Sequence, residues 1–238
     1  MQTTRGTLLG GRLQYSQPRD GYRTGIEPVL LAASIPARAG DVVIEAGTGA
    51  GAGLMCLAAR VADLVGVGVE IDSAMADLAR ANVEANGYGR LTILTGDVTA
   101  IDLPRATHVL ANPPWHDPQS TASPNERRRL AKQESAGVEA WVTALARNLA
   151  DGGSLTMIVP PGLATRAGQA CAAAGLGGGI RLSLLPKAGR PPKLVLLRCW
   201  SGTETAARTA ELILHHEDGA FTAGVEAVLR QGAALGLD

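Results

Sequence analysis

Asp41-Val-Val-Ile-Glu45 is a short apolar run that leads directly into Gly47, Gly49 and Gly51, and Leu54–Arg60 beyond them reads as a helix. No other feature constrains the fold as much. A strand, a glycine turn and a helix place backbone N–H groups and a helix N-terminus at the carboxyl end of a strand, where open α/β sheets hold nucleotides. Glycine is needed there because a side chain would hold the backbone away from a ligand. Further strands are expected near 65–70, 91–95, 106–111 and 154–159, with helices near 52–62, 73–86 and 138–150. Such alternation implies a parallel sheet covered on both faces.

Outside this pattern, residues 7–16 read as a small hairpin over Gly10-Gly11, Ile26–Ile35 as a helix ending before Pro36, and Gly162–Ala174 as another helix. Ile180–Leu185 and Leu194–Cys199 are two apolar runs with no helix between them, so they pair antiparallel or splay. A late strand near 210–214 and a helix near 222–231 complete the chain.

The dinucleotide fingerprint G-x-G-x-x-G fails in both registers, because its last glycine would fall on Ala52 or Leu54. The spacing Glu45-x-Gly47-x-Gly49-x-Gly51 resembles the S-adenosylmethionine loop of Rossmann-like class I methyltransferases; an ordinary tight turn is the alternative. The next apolar run ends at Glu70, about 20 residues on, where a carboxylate can accept both ribose hydroxyls. Glu70 could instead cap the following helix, with Asp72 and Ser73 as rival caps. A third run ends in Gly96-Asp97; in the resembling family this aspartate lies beside the adenine. Ile71 and Val98, next to these two carboxylates, complete the cofactor candidates on this side.

The fourth run ends in Asn112-Pro113-Pro114-Trp115, the candidate catalytic motif. Two prolines stiffen the segment and remove two donors, leaving free carbonyls. The Asn112 side-chain oxygen and the Pro113 carbonyl can accept both N–H groups of an amine, while Trp115 stacks on the planar group that carries it. Accepting both hydrogens favours a pyramidal nitrogen and places oxygen dipoles near developing positive charge. Alone, the segment could be a plain loop after a strand. Behind the glycine loop and Glu70 it points to methyl transfer onto nitrogen, and Asn112 also counts among the cofactor-contacting candidates.

Taken together, the chain resembles the bacterial tRNA(Val) adenine-N6 methyltransferase family, which modifies the adenine next to the anticodon. Gln17-Pro-Arg-Asp-Gly21-Tyr-Arg23-Thr-Gly25 matches that family's segment before the loop, and Arg129-Leu-Ala-Lys132-Gln-Glu134 matches one after the amine motif. The tail His215-His216-Glu217-Asp218-Gly219-Ala-Phe221 is also similar. The resemblance implies that Arg23, Thr24 and Gly25 lie over the methionine end of S-adenosylmethionine, with Arg23 able to pair with its carboxylate. The implied fold is α/β and Rossmann-like: a mostly parallel seven-stranded sheet with a C-terminal antiparallel hairpin and helices on both faces. One domain is expected over residues 1–238, with 1–36 as an N-terminal cap. Trp115 stands where the family commonly has Tyr or Phe, Glu27 where it has Asp, and Lys132 where it has Arg. His116 is a phosphate or base contact or a solvent-facing loop residue, and His108 reads as a satisfied core residue.

The formal net charge is +0, so the chain as a whole has no electrostatic commitment to nucleic acid. Its local distribution says more. Arg5, Arg12, Arg19, Arg23 and Arg38 crowd the first 40 residues against two acids, Arg127, Arg128, Arg129 and Lys132 follow the amine motif, and Arg181, Lys187, Arg190, Lys193 and Arg198 form an acid-free stretch. If these converge they form a basic rim for RNA, expected to be tRNA; otherwise they are solvated surface charge. The 3 cysteines form no C-x-x-C, so neither a zinc site nor a disulfide framework is expected. No metal is expected to take part. With no apolar leader at the start and no membrane-length run, a cytoplasmic protein is expected. The same amine site would also serve a release-factor glutamine methyltransferase or an rRNA guanine-N2 methyltransferase. A non-catalytic RNA-binding protein is a rival of another class.

Overall fold

The computed structural model describes residues 1–20, 23–113 and 137–237. The N-terminal segment forms an antiparallel hairpin, β1 (Thr3–Leu8) and β2 (Leu13–Pro18), around a 3-10 turn at Leu9–Gly11. Helix α1 (Glu27–Ser34) has Pro28 in its first turn and stops at extended Ile35, the conformation favoured before Pro36.

The alternating core follows as β3 (Val42–Ala46), α2 (Ala52–Arg60), β4 (Val65–Glu70), α3 (Ser73–Ala85), β5 (Leu91–Thr95) and β6 (Ala106–Ala111). After the undescribed stretch come α4 (Gly137–Ala146), β7 (Leu149–Val159), α5 (Pro161–Ala173), β8 (Leu176–Leu185), β9 (Leu194–Ser201) and β10 (Arg208–Ile213). A single α-turn, α6 (Ala223–Glu226), runs on into a π-helical turn at Ala227–Gln231, where one continuous helix had been expected.

The strands lie in the order β10-β8-β9-β7-β6-β3-β4-β5. β9 is antiparallel to both its neighbours, and the other pairings are parallel. The seven expected strands are present, with β8 and β9 as the antiparallel hairpin, and the late strand β10 joins β8 as an eighth. One face is covered by α1, α2 and α3, with Leu30, Leu31, Leu54 and Leu57 in its core. The other is covered by α4 and α5 over Val142, Leu145, Leu155 and Met157. Among the described residues no helix is long and apolar enough to cross a membrane.

Several boundaries differ from expectation: the N-terminal hairpin spans Thr3–Pro18 rather than 7–16, and β10 starts at Arg208 rather than near 210. Helix α4 stops at Ala146 rather than 150, and β7 starts five residues early, at Leu149, because its first turn pairs with Ala106 before a bulge interrupts the ladder. Gly153 lies inside that irregularity, where a Cβ would sit 2.8 Å from the Thr107 carbonyl oxygen. β8 starts at Leu176 rather than Ile180, since Gly177–Gly179 form a bulge against β9 and not a turn.

Candidate active site at the carboxyl ends of the central strands

Register brings the motifs together. Ala46 of β3 pairs with Ala111 of β6 on one side and Val69 of β4 on the other, so Gly47, Asn112 and Glu70 leave adjacent strand ends side by side. Glu70 pairs with Thr95, which brings Asp97 next in line on β5. Between β3 and β6 the strand order reverses, and it is at such switch points that open α/β sheets bind ligands.

Gly47, Gly49 and Gly51 all adopt positive φ, at 67°, 57° and 86°. This left-handed backbone alone selects glycine. Their surroundings differ, though. A Cβ on Gly51 would touch Ala79 of α3 at 3.5 Å, so this glycine also serves helix packing. At Gly49 the nearest group would be the Met75 methyl at 3.9 Å, and at Gly47 the Trp141 ring at 3.3 Å, so only side-chain ends approach these two positions. The loop is closed from Gly51 N–H to the Thr48 carbonyl at 2.9 Å and tied to β4 from Thr48 N–H to the Val69 carbonyl at 3.0 Å.

Glu45 lies beneath the loop, only 4% exposed. Its Oε2 accepts the Thr48 hydroxyl at 2.5 Å and the Leu54 amide at 2.9 Å, so it joins loop to helix α2. Burial pushes its carboxyl up to about 7, against the lowering effect of those two donors, and the charge of Glu70 adds to the rise.

Glu70 bridges two elements. Oε2 accepts Gly49 N–H at 3.0 Å and Oε1 accepts Asp72 N–H at 2.9 Å. The cap of α3 is Asp72, whose Oδ1 accepts from Ala74 and Met75 at 3.0 and 3.1 Å. Glu70 is therefore not the cap, and its carboxylate is held at the loop with lone pairs to spare. Ile71, beside it, is 48% exposed, an uncovered apolar side chain. Asp97 is exposed; its Oδ1 accepts the Thr99 amide and hydroxyl at 2.8 and 2.7 Å, which orients its second oxygen. Val98 is buried behind it. Asn112 is half-buried and Pro113 buried at the end of β6. Pro114, Trp115, His116, Arg127, Arg128, Arg129 and Lys132 lie outside the described residues, as do Gly21 and Tyr22.

The family model of the methyltransferase small domain matches residues 26–166, more than half of the chain. This chain belongs to the methyltransferase small domain family. Curated relatives include the tRNA1(Val) (adenine(37)-N6)-methyltransferase of Tolumonas auensis, 27% identical over 76% of this chain and 77% of the relative. The protein of the same name from Shewanella amazonensis is 25% identical over 88% and 91%. Among solved structures, a predicted O-methyltransferase from Agrobacterium tumefaciens superposes with a TM-score of 0.73 at 25% identity, covering 87% of this chain and 97% of that one. A methyltransferase from Pyrococcus furiosus shares the fold, with a TM-score of 0.60 at 17% identity, covering 80% and 90%. The protein is thus a class I methyltransferase, and its methyl donor is S-adenosylmethionine. The donor set fits that cofactor: an open glycine loop, a carboxylate at each of the next two strand ends, and an apolar Ile71 between them.

The methyltransferase fold also recruits residues that carry no motif. Asn82 of α3 is 3% exposed. Its Oδ1 accepts Ser16 N–H at 2.9 Å, and its Nδ2 donates to the Ser16 and Ala50 carbonyls at 2.8 and 2.9 Å, tying the β1–β2 hairpin to the glycine loop. Asn86, one turn on, does the same for Gln14. Two asparagines four residues apart on a helix were the available signal. Thr24 is held by the Gln17 side chain at 3.1 Å and the Tyr15 hydroxyl at 2.6 Å, while Arg23 and Gly25 beside it are exposed.

The described cations of the first and last basic clusters go to different places. The Pro186–Lys193 turn follows β8, which runs parallel to the core strands, so exposed Arg190 and Lys193 stand at the cofactor end of the sheet. Lys187 is there too, donating to the Glu217 carbonyl at 2.6 Å. Other members of the clusters are elsewhere. Arg198 is 2% exposed, donates to the Ser34 carbonyl and stacks over Trp200. Arg38 precedes β3 at the opposite end, and Arg12 is spent on the Gln231 and Ala59 carbonyls. Among the described residues, Arg12, Arg38 and Arg198 therefore take no part in such a rim.

Proposed function

We propose that this methyltransferase acts on an adenine N6 amine in tRNA, next to the anticodon. The observation that carries this is Asn112 emerging beside Gly47 at the switch point, in a chain whose relatives are named for that reaction. S-adenosylmethionine supplies a methyl group on a positively charged sulfur. Gly47, Gly49 and Gly51 let it approach, Glu70 accepts the ribose hydroxyls, and the second oxygen of Asp97 accepts the adenine amine. Ile71 and Val98 flank the adenine, and Arg23 pairs with the methionine carboxylate from the segment anchored at Thr24. Glu45 supports the loop from below.

On the substrate side, the Asn112 side-chain oxygen and the Pro113 carbonyl accept the two amine hydrogens, and Trp115 stacks on the base. No general base is required, because the nitrogen becomes acidic once alkylated and its proton leaves to solvent. Positioning supplies several kcal/mol, within the ~7–11 kcal/mol available to well-oriented reactions. An anticodon-loop base is already unpaired, so extruding it costs at most a few kcal/mol. Lys187, Arg190 and Lys193, joined by Arg127, Arg128, Arg129 and Lys132, contact phosphates.

The test is methyl transfer from labelled S-adenosylmethionine to unmodified total tRNA, with release factor protein in parallel and the product nucleoside identified by mass. N6-methyladenosine from tRNA is the expected result. Label in the protein would move the same amine site to a glutamine amide, and label in neither would remove tRNA as the substrate.

A further inference from the structure

We propose that Trp141 is an aromatic wall of the cofactor cleft and sets how tightly S-adenosylmethionine is held. The proposal rests on the reading that the glycine loop is the cofactor site.

Helix α4 buries Val138, Val142 and Leu145 against the sheet, a spacing of four and three residues that defines its inner stripe. Trp141 belongs to that stripe, yet it is only half-buried, whereas Val142 and Leu145 are sealed. The indole therefore extends past the core to the rim. What it meets there is Gly47: a Cβ on this glycine would stand 3.3 Å from Cη2 and 3.8 Å from Cζ3 of the ring. Gly47 is itself exposed, and register places it beside Asn112. The ring thus borders the seam between the loop and the amine motif. From the other face of the sheet, Met75 approaches Gly49, so an indole and a thioether flank the loop on its two sides.

A ligand lying on Gly47 meets the apolar edge of this ring. A rigid indole offers a large apolar contact area with little side-chain freedom to lose. A residue that merely filled the core would affect stability and leave cofactor affinity alone, so the two roles separate by measurement.

The protein has 3 tryptophans, Trp115, Trp141 and Trp200. Trp200 sits in β9 opposite Ser154, towards the other end of the sheet, so only Trp115 and Trp141 can report the cofactor by fluorescence. S-adenosylmethionine and S-adenosylhomocysteine would be titrated into the wild type, W115F, W141F and W141A, by calorimetry and intrinsic fluorescence, with ligand-free melting curves alongside. The expected result is a cofactor-dependent fluorescence change that survives in W115F and is largely lost in W141F, with Kd for S-adenosylmethionine raised about tenfold in W141A and about threefold in W141F. A folded W141A or W141F with wild-type Kd overturns the proposal. So does a fluorescence change that persists in W141F and vanishes in W115F. Should W141A fail to fold, W141F decides by the same two readouts. A wild type that binds neither ligand overturns the cofactor-site reading itself, which a Trp141-specific failure would leave standing.

Discussion

The two ends of the sheet use polar residues in opposite ways. At the carboxyl end, Glu70 and Asp97 are each fixed by backbone donors but keep acceptor capacity, Glu70 tucked against the glycine loop and Asp97 exposed. Towards the other end lies a set whose residue types suggest catalysis more loudly: His108 Nδ1 is 2.8 Å from the Ser154 hydroxyl, and its Nε2 is 3.4 Å from Asp41 Oδ2. Ser154, however, is 0% exposed, and the edge of Trp200 packs against His108. An aspartate, histidine and serine in line do no chemistry on a substrate that cannot reach them. Strand direction and the exposure of Gly47 and Asp97, not residue type, set the two ends apart.

That contrast can be broken most sharply at Asn112. Asn112→Ala should lower turnover by about 10²–10³-fold, the scale for one lost preorganised polar contact, with a much smaller effect on cofactor Kd by calorimetry. Wild-type turnover would remove the amine site from this end. The next largest effect is expected beneath the loop. A carboxyl raised from 4.5 to about 7 binds its proton more tightly in the folded state, so its contribution is present below pH 4.5 and is lost as pH rises to about 7. Glu45→Gln should abolish that loss, worth roughly 3 kcal/mol across the interval, and chemical denaturation at several pH values would show it. Parallel curves for the two proteins would mean the carboxyl titrates normally.

The opposite end should respond with the reverse sign and less strongly. Burial holds His108 below the usual imidazole range despite the opposing pull of Asp41, so its neutral form belongs to the folded state. Stability from this group is complete above pH 6.5 and falls as pH drops below it, by at most ~1.4 kcal/mol per pH unit. His108→Gln should flatten that acid slope while leaving cofactor Kd at pH 7.5 untouched; a changed Kd would show the two ends of the sheet to be coupled. The smallest change is expected at the basic turn. Replacing Arg190 and Lys193 together by Ala should weaken tRNA binding several-fold and reduce the salt slope of log Kd by about 1 to 2. An unaltered slope would place RNA elsewhere.

The central strands were legible because each is a short apolar run that ends at a glycine or a polar residue: β3, β4, β5 and β6 fall at the positions their sequences indicate. Where a boundary moved, at Leu149 and at Leu176, glycines that locally resemble turns are bulges made by a neighbouring strand. The same division runs through the site. The glycine loop and the position of Asn112 follow from the chain itself. Asn82 and Trp141 acquire their roles only when α3 and α4 fold back over the loop; the four-residue spacing of Asn82 and Asn86 hints at the first, and nothing local to α4 announces the second. Charge was the least legible property, since Arg38 and Arg198 go to places that a run of cations along the chain does not reveal.

The order β7-β9-β8 has a consequence for biosynthesis. β8 leaves the ribosome before β9, yet β9 is the strand that separates it from β7. A nascent chain ending at Leu185 therefore carries ten residues of strand with no place in the sheet, while β7 waits as a bare edge. Both defects are cured in one step when residues 194–201 arrive, so the final third of translation is when this protein is most exposed to pairing with the wrong neighbour.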